Sequence, residues 1–230
     1  MNVRKGASDL AAGKFVLLHD SDGRENEVDM IIGAEFVKPE HVTAMRTDAG
    51  GLICVAVHPL IARNIGLPYL SDVYASCSDR YEVFGAITPN DIPYDERSAF
   101  SITVNHRKTF TGVTDVDRAM TISELGRLGA RAMREKCLNE FGRKFRSPGH
   151  VTLLRAAEGL LDSRRGHTEL AVVLAGIAGI TPAVVLCEML DSSTGKALST
   201  ENAAVYARRN GLTLLDGAEV FEEFRRMSSE

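Results

Sequence analysis

Leu170 to Leu186 is an almost unbroken apolar run, and it constrains the fold more than any other stretch of the chain. Thr181-Pro182 divides it. Proline ends a helix, and each half is too short for a bilayer, which takes roughly 20 apolar residues to cross. The run therefore predicts a buried helix over 168–178, a turn, and a buried strand over 183–189. A helix that is apolar on nearly every side must lie between other layers.

Shorter signals extend this reading along the chain. Helices are expected over 3–12, stopped by Gly13, and from Pro39, a residue tolerated in a first turn, to Met45. Others are expected over 60–66, closed by Gly66, and from a Ser123 cap to Met133. Apolar residues at 151, 154, 157, 160 and 161 have helical spacing and predict a helix from Val151 to Leu161. The last helices are expected at 200–210, stopped by Gly211, and 218–227. Strands are expected at 15–18, 30–34, 52–57 after the Gly50-Gly51 turn, 98–104 and 212–215. Alternation of this kind predicts an α/β (α+β) single domain, a mixed β-sheet layered with helices on both sides. Gly85 to Glu96, rich in proline and aspartate, reads as a lid or a surface loop.

Composition excludes several classes. The 230 residues carry a net charge of −4 and no basic patch interleaved with aromatics, so no nucleic-acid partner is expected. The most basic stretch runs through Arg131, Arg134, Lys136, Arg143, Lys144 and Arg146. Glu135 and Glu140 interrupt it, as on a solvated helix face. The four cysteines, 54, 77, 137 and 187, form no CxxC pair and suggest reduced thiols. With no apolar signal core near Met1, a cytoplasmic protein without membrane contact is expected. The fingerprints GxxxxGK[ST], GxGxxG and GxSxG are missing, so common nucleotide and hydrolase sites are not indicated.

Chemistry concentrates in Asp20-Ser21-Asp22-Gly23-Arg24-Glu25-Asn26-Glu27-Val28-Asp29. Five carboxylates this close repel unless a cation is shared among them, and a hard divalent metal takes oxygen ligands. Arg24 suits a phosphate or carboxylate. An EF-hand is excluded, because its third ligand position would fall on Arg24 and its closing acid on Ile31. Arg164-Arg165-Gly166-His167-Thr168-Glu169 precedes the apolar helix. A helix N-terminus flanked by arginines suits a phosphate, and His167 could ligate a metal; a plain cap by Thr168 is the competing reading. His150 is placed ahead of the helix expected at Val151. Glu188, inside an apolar strand, must be paired or face a site, and burial suits a carboxylate to general-base work. Cys54 reads first as a buried thiol.

Seven motifs recur in order. They are Asp22–Asp29, Asp48-Ala49-Gly50-Gly51-Leu52-Ile53-Cys54, Ser98-Ala99-Phe100-Ser101-Ile102-Thr103-Val104, Thr111-Gly112-Val113-Thr114-Asp115-Val116-Asp117-Arg118-Ala119, Arg146-Ser147-Pro148-Gly149-His150-Val151, Arg164–Glu169 and Cys187-Glu188-Met189. Over roughly residues 5–225 the chain resembles the 3,4-dihydroxy-2-butanone 4-phosphate synthases of riboflavin biosynthesis. The Asp20-Ser21-Asp22 opening and the segment Asn105 to Phe110 look like the archaeal branch, and residues 123–145 make a longer, more charged connection than the bacterial pattern.

The resemblance implies a lyase that converts D-ribulose 5-phosphate to L-3,4-dihydroxy-2-butanone 4-phosphate and formate. It implies a homodimer using Mg2+ or Mn2+, two ions per active site. Glu25 and His167 would ligate metal. Arg24, Asp29 and Arg164, Arg165, Gly166, His167 and Thr168 would hold the substrate, the latter segment gripping its phosphate. His150 and Glu188 would be essential to the chemistry, with Glu188 also touching substrate. Glu27, Cys54 and Thr111 would lie close to the sugar. Some relatives are fused to a GTP cyclohydrolase II domain; a single activity is expected here. Two rivals use the same residues, another metal-dependent sugar-phosphate isomerase or aldolase, and a non-catalytic sugar-phosphate-binding protein.

Overall fold

The computed structural model describes residues 2–88 and 91–229. Seven strands form one mixed sheet. They are β1 (Val16–His19), β2 (Val28–Gly33), β3 (Cys54–Val57), β4 (Phe100–His106), β5 (Phe145–Arg155), β6 (Ala183–Glu188) and, last in the chain, β9 (Thr213–Asp216). The order across the sheet is β4-β5-β3-β6-β2-β1-β9. Pairs β3/β5 and β1/β9 are parallel and the others antiparallel. A separate hairpin, β7 (Leu190–Asp191) with β8 (Lys196–Ala197), follows β6.

The strands are apolar on both faces because helices cover both. On one face lie α1 (Asn2–Ala11), α8 (His167–Ile177) and α10 (Gly217–Met227). They pack on Val16, Leu18, Ile31, Ala56, Val184 and Leu186. On the other lie α2 (Pro39–Ala44), α3 (Pro59–Ile65), α6 (Asp115–Ala132), α7 (Leu138–Lys144) and α9 (Thr200–Asn210). They pack on Leu17, Met30, Ile32, Val55, Val185 and Cys187. Alternate residues of one strand thus enter opposite cores, the period-2 rule of a pleated strand. Two short helices, α4 (Leu70–Ser76) and α5 (Glu82–Ala86), lie between α3 and β4.

The apolar run folds as expected. In α8 every residue from His167 to Ala175 is buried, and β6 follows the Thr181-Pro182 break. The structure corrects two expectations. The segment 151–161 is not a helix, and its first five residues complete β5. Val151 and Leu153 enter one core and Leu154 the other, so a strand buried on both faces reads as a continuous apolar run, which spacing alone does not separate from a helix. His150 therefore lies on a strand. Ser123 does not cap a helix. α6 begins eight residues earlier, where the Thr114 hydroxyl accepts from Asp117 N at 3.1 Å, and Ser123 is buried in its middle. The expected loop 85–96 opens with the end of α5; residues 89 and 90 of it lie outside the described residues. Among the described residues no helix is long and apolar enough to cross a membrane.

Candidate active site

The site forms where β1 and β6 end and where β2 and α8 begin. Register explains the first contacts. Asp29 pairs with Glu188 across β2–β6, and Cys54 with Leu186 across β3–β6, so side chains two apart on adjacent strands share one face. Gly51 is needed beside them. A Cβ there would collide with the Glu188 carboxylate and backbone, and Gly51 N donates to Glu188 O at 3.0 Å. Next to it, Leu52 N donates to Glu188 Oε2 at 2.7 Å.

Asp20 organises the acidic loop. Its two oxygens accept from Glu25 N at 3.1 Å and Glu27 N at 3.2 Å, which closes the loop over the end of β1. Asn26 has a φ of 54°, and its side-chain oxygen meets His19 Nε2 at 3.0 Å. The loop thus brings Glu25 to 3.2 Å from His167 Nδ1, at the first turn of α8. Asp20 and Asp29 stand 3.9 and 3.8 Å from His167 Nε2.

Charge crowding governs these groups. Burial pushes the Asp29 carboxyl up to about 7, with Glu188 adding to the rise and His167 opposing it. Burial, Glu188 and Glu25 raise Glu27. Burial disfavours a charged His167, but Asp29, Glu25 and Asp20 outweigh it and hold the imidazole protonated up to about 10. Burial, with Glu188 and Asp29 beside it, raises the Cys54 thiol well above its ordinary value, so it is not a thiolate nucleophile at neutral pH.

These residues suit a divalent cation. Ligand atoms of Asp20, Glu25 and His167 lie within 4.8 Å of one another, and Asp29 Oδ1 is buried without a hydrogen-bond partner among the described residues. Oxygen-rich donors with one imidazole match magnesium or manganese rather than a soft metal.

Arg164 closes the opposite wall. Its Nη1 donates to the buried Glu169 Oε2 at 2.6 Å, and its guanidinium folds against Gly166, where a Cβ would collide with it. Gly166 is also the N-cap of α8 and supplies no side-chain cap, and Thr168 does not serve as one but lines the cavity. Asp95 bridges Arg164 Nε and Arg24 Nη2, the latter at 3.1 Å. The walls enclose about 310 Å³ lined by Glu25, Glu27, Asp29, Arg164, His167 and Glu188, with Cys54, Thr168, Tyr94 and Asp95.

The 3,4-dihydroxy-2-butanone 4-phosphate synthase family model matches residues 4–223. The chain belongs to this family. A 3,4-dihydroxy-2-butanone 4-phosphate synthase of Methanothermobacter thermautotrophicus is 52% identical over 227 residues, covering 99% of this chain and 97% of the relative. One from Archaeoglobus fulgidus is 50% identical over 215 residues, covering 93% and 90%. A crystal structure of a 3,4-dihydroxy-2-butanone 4-phosphate synthase in complex with two magnesium ions superposes with a TM-score of 0.80 at 27% identity, covering 98% of this chain and 97% of that one.

Most of the residues that the family resemblance assigned converge. Glu25, Glu27, Asp29, Cys54, Arg164, His167, Thr168 and Glu188 line one cavity, and Arg24 reaches its edge through Asp95. Gly166 enters as the N-cap of α8 and not as a lining residue, and three others do not join the cavity. Arg165 turns away, its guanidinium 3.7 Å from the centre of the Phe221 ring. His150 and Thr111 form a separate exposed group around Asn105, whose Oδ1 accepts from His150 N at 2.8 Å and whose Nδ2 donates to Thr111 O at 3.4 Å. Sequence reasoning placed Asp20 only collectively, among the five loop carboxylates that share a cation, and gave Asp95 no role. Asp20 was visible as the first acid after a strand. Asp95 carried only the signal of a proline- and aspartate-rich stretch.

Proposed function

We propose that the chain converts D-ribulose 5-phosphate to L-3,4-dihydroxy-2-butanone 4-phosphate and formate, the step that feeds riboflavin biosynthesis. The observation that carries this is the convergence of five carboxylates, His167 and Arg164 on one cavity in a chain of this family. The two products together contain the atoms of the substrate, so no external oxidant or co-reactant is required.

Arg164 and the N-terminus of α8, with Thr168, hold the phosphate, which takes no part in bond-making and serves to position the sugar. Arg24 and Asp29 hold the substrate with them. Asp20, Glu25 and His167 hold the cation. Magnesium or manganese, two ions per site, supplies Lewis-acid stabilisation of negative charge on the sugar when bound. Glu188 is fixed through Oε2 by Leu52 N, which leaves its other oxygen to take the proton beside the ketone. Glu27 and Asp29, with raised proton affinity, return protons to later intermediates. Cys54, kept as a neutral thiol, packs against the sugar.

The active form is a homodimer whose second subunit brings His150 and Thr111 to the site. This is supported by the position of both residues outside their own chain's cavity, and by the apolar side chains beside them. Phe110 is 93% exposed, and Val113 and Val116 are exposed as well. An exposed apolar group of this kind marks a contact surface.

Product stoichiometry tests the reaction. One formate per sugar phosphate consumed is expected. Consumption without formate would point to an isomerase or aldolase, and binding without consumption to a non-catalytic sugar-phosphate-binding protein.

A further inference from the structure

Arg24 and Arg164 come from different segments, the acidic loop and the lead into α8, yet both donate to the same oxygen, Oδ2 of Asp95. Arg164 is held on its other side by Glu169, whose second oxygen accepts from Ala157 N at 2.9 Å. Arg24 donates also to Tyr94 O at 3.4 Å, and its Nε is buried without a hydrogen-bond partner among the described residues. Asp95 itself is largely buried and lines the cavity. Burial raises its carboxyl, but Arg164 and Arg24 outweigh that and hold it below its ordinary value, so it is an anion at neutral pH. Two guanidinium groups this close repel unless an anion stands between them.

We infer that Asp95 is a positioning residue that assembles the Arg24–Arg164 pair before the substrate's phosphate arrives. This rests on the reading that Arg164 receives that phosphate. In the assembled pair Arg164 presents Nη2, the nitrogen that neither Asp95 nor Glu169 takes. Ordering the clamp in advance removes a cost that binding would otherwise meet. The same contact fixes the segment around Asp95 beside the cavity, near the end of the stretch 85–96 that the sequence reads as a lid or a surface loop. Loss of the carboxylate has two opposed effects. It removes a negative charge near the phosphate, which favours binding, and it lets the arginines separate, which disfavours it. Separation dominates, because both arginines converge on one oxygen, and among the described residues Arg24 has no second carboxylate within hydrogen-bond reach, Asp20 Oδ2 standing 3.8 Å from its Nε.

The test is Asp95→Asn, compared with native protein for kcat and KM with ribulose 5-phosphate and for inhibition by inorganic phosphate. The KM and the phosphate inhibition constant are expected to rise together by about tenfold, with kcat within about twofold, because the lost term is preorganisation of binding. Tighter or unchanged phosphate inhibition would overturn the inference, and so would a fall in kcat alone. If the Asn protein does not fold, Asp95→Glu keeps the charge but lengthens the arm. A smaller joint rise in the two constants is expected from it, and unchanged constants would overturn the proposal. Arg164→Met is the control for the underlying reading. Native-like phosphate inhibition in that protein would refute the phosphate site itself, whatever Asp95 does.

Discussion

His167 lies 3.2 Å from Glu25 and within 3.9 Å of Asp20 and Asp29, and without metal it carries a proton held up to about pH 10. A ligating imidazole must be neutral. The sign of the linkage follows. A proton held above its ordinary 6.5 stabilises the metal-free fold fully below that pH, and the contribution is lost as pH rises through about 10. Cation binding competes with the same proton, so affinity should strengthen with pH across neutrality, by up to about tenfold per pH unit. Calorimetry of magnesium binding at pH 7, in buffers of different ionisation enthalpy, should show about one proton released per site. No proton release would mean that His167 is not a ligand.

Glycines decide how closely the elements approach. In α6, a Cβ on Gly126 would meet the backbone of Ala34 at 2.8 Å, at the end of β2. An exposed helical Gly→Ala normally gains up to about 1 kcal/mol. Here Gly126→Ala should instead lose about 1–3 kcal/mol, because backbone cannot yield as a flexible side chain can. Denaturant unfolding measures this, and a stabilised variant would contradict the packing. Element type was legible where one signal dominated. Pro39, Gly66 and Gly211 marked ends that the structure keeps, the latter two at positive φ. It failed at β5, where Val151, Leu153 and Leu154 serve two cores and imitate helical spacing. It failed also at the start of α6, where Thr114 with Asp115 and Asp117 carried a cap signal that Ser123 displaced.

At the scale of the molecule, the cavity was legible where contiguous motifs line it. The acidic loop, Arg164–Thr168 and Glu188 are contiguous motifs, and strand register joins them. Asp95 was not legible, since its role depends on which arginines the fold delivers to it. His150 and Thr111 gave motifs but no location. If the partner subunit supplies them, inactive His150→Ala and Glu188→Gln proteins mixed as subunits should regain about a quarter of native activity, one intact site in each mixed dimer. A site built within one chain would regain none. The most direct test of the reaction is formate release from ribulose 5-phosphate by the native and Glu188→Gln proteins, each with magnesium and with excess EDTA. Formate is expected only from the native protein with magnesium, with a loss of at least about 100-fold in the variant, the scale of a missing general base. Formate from the native protein in EDTA, or from Glu188→Gln at the native rate, would contradict this expectation.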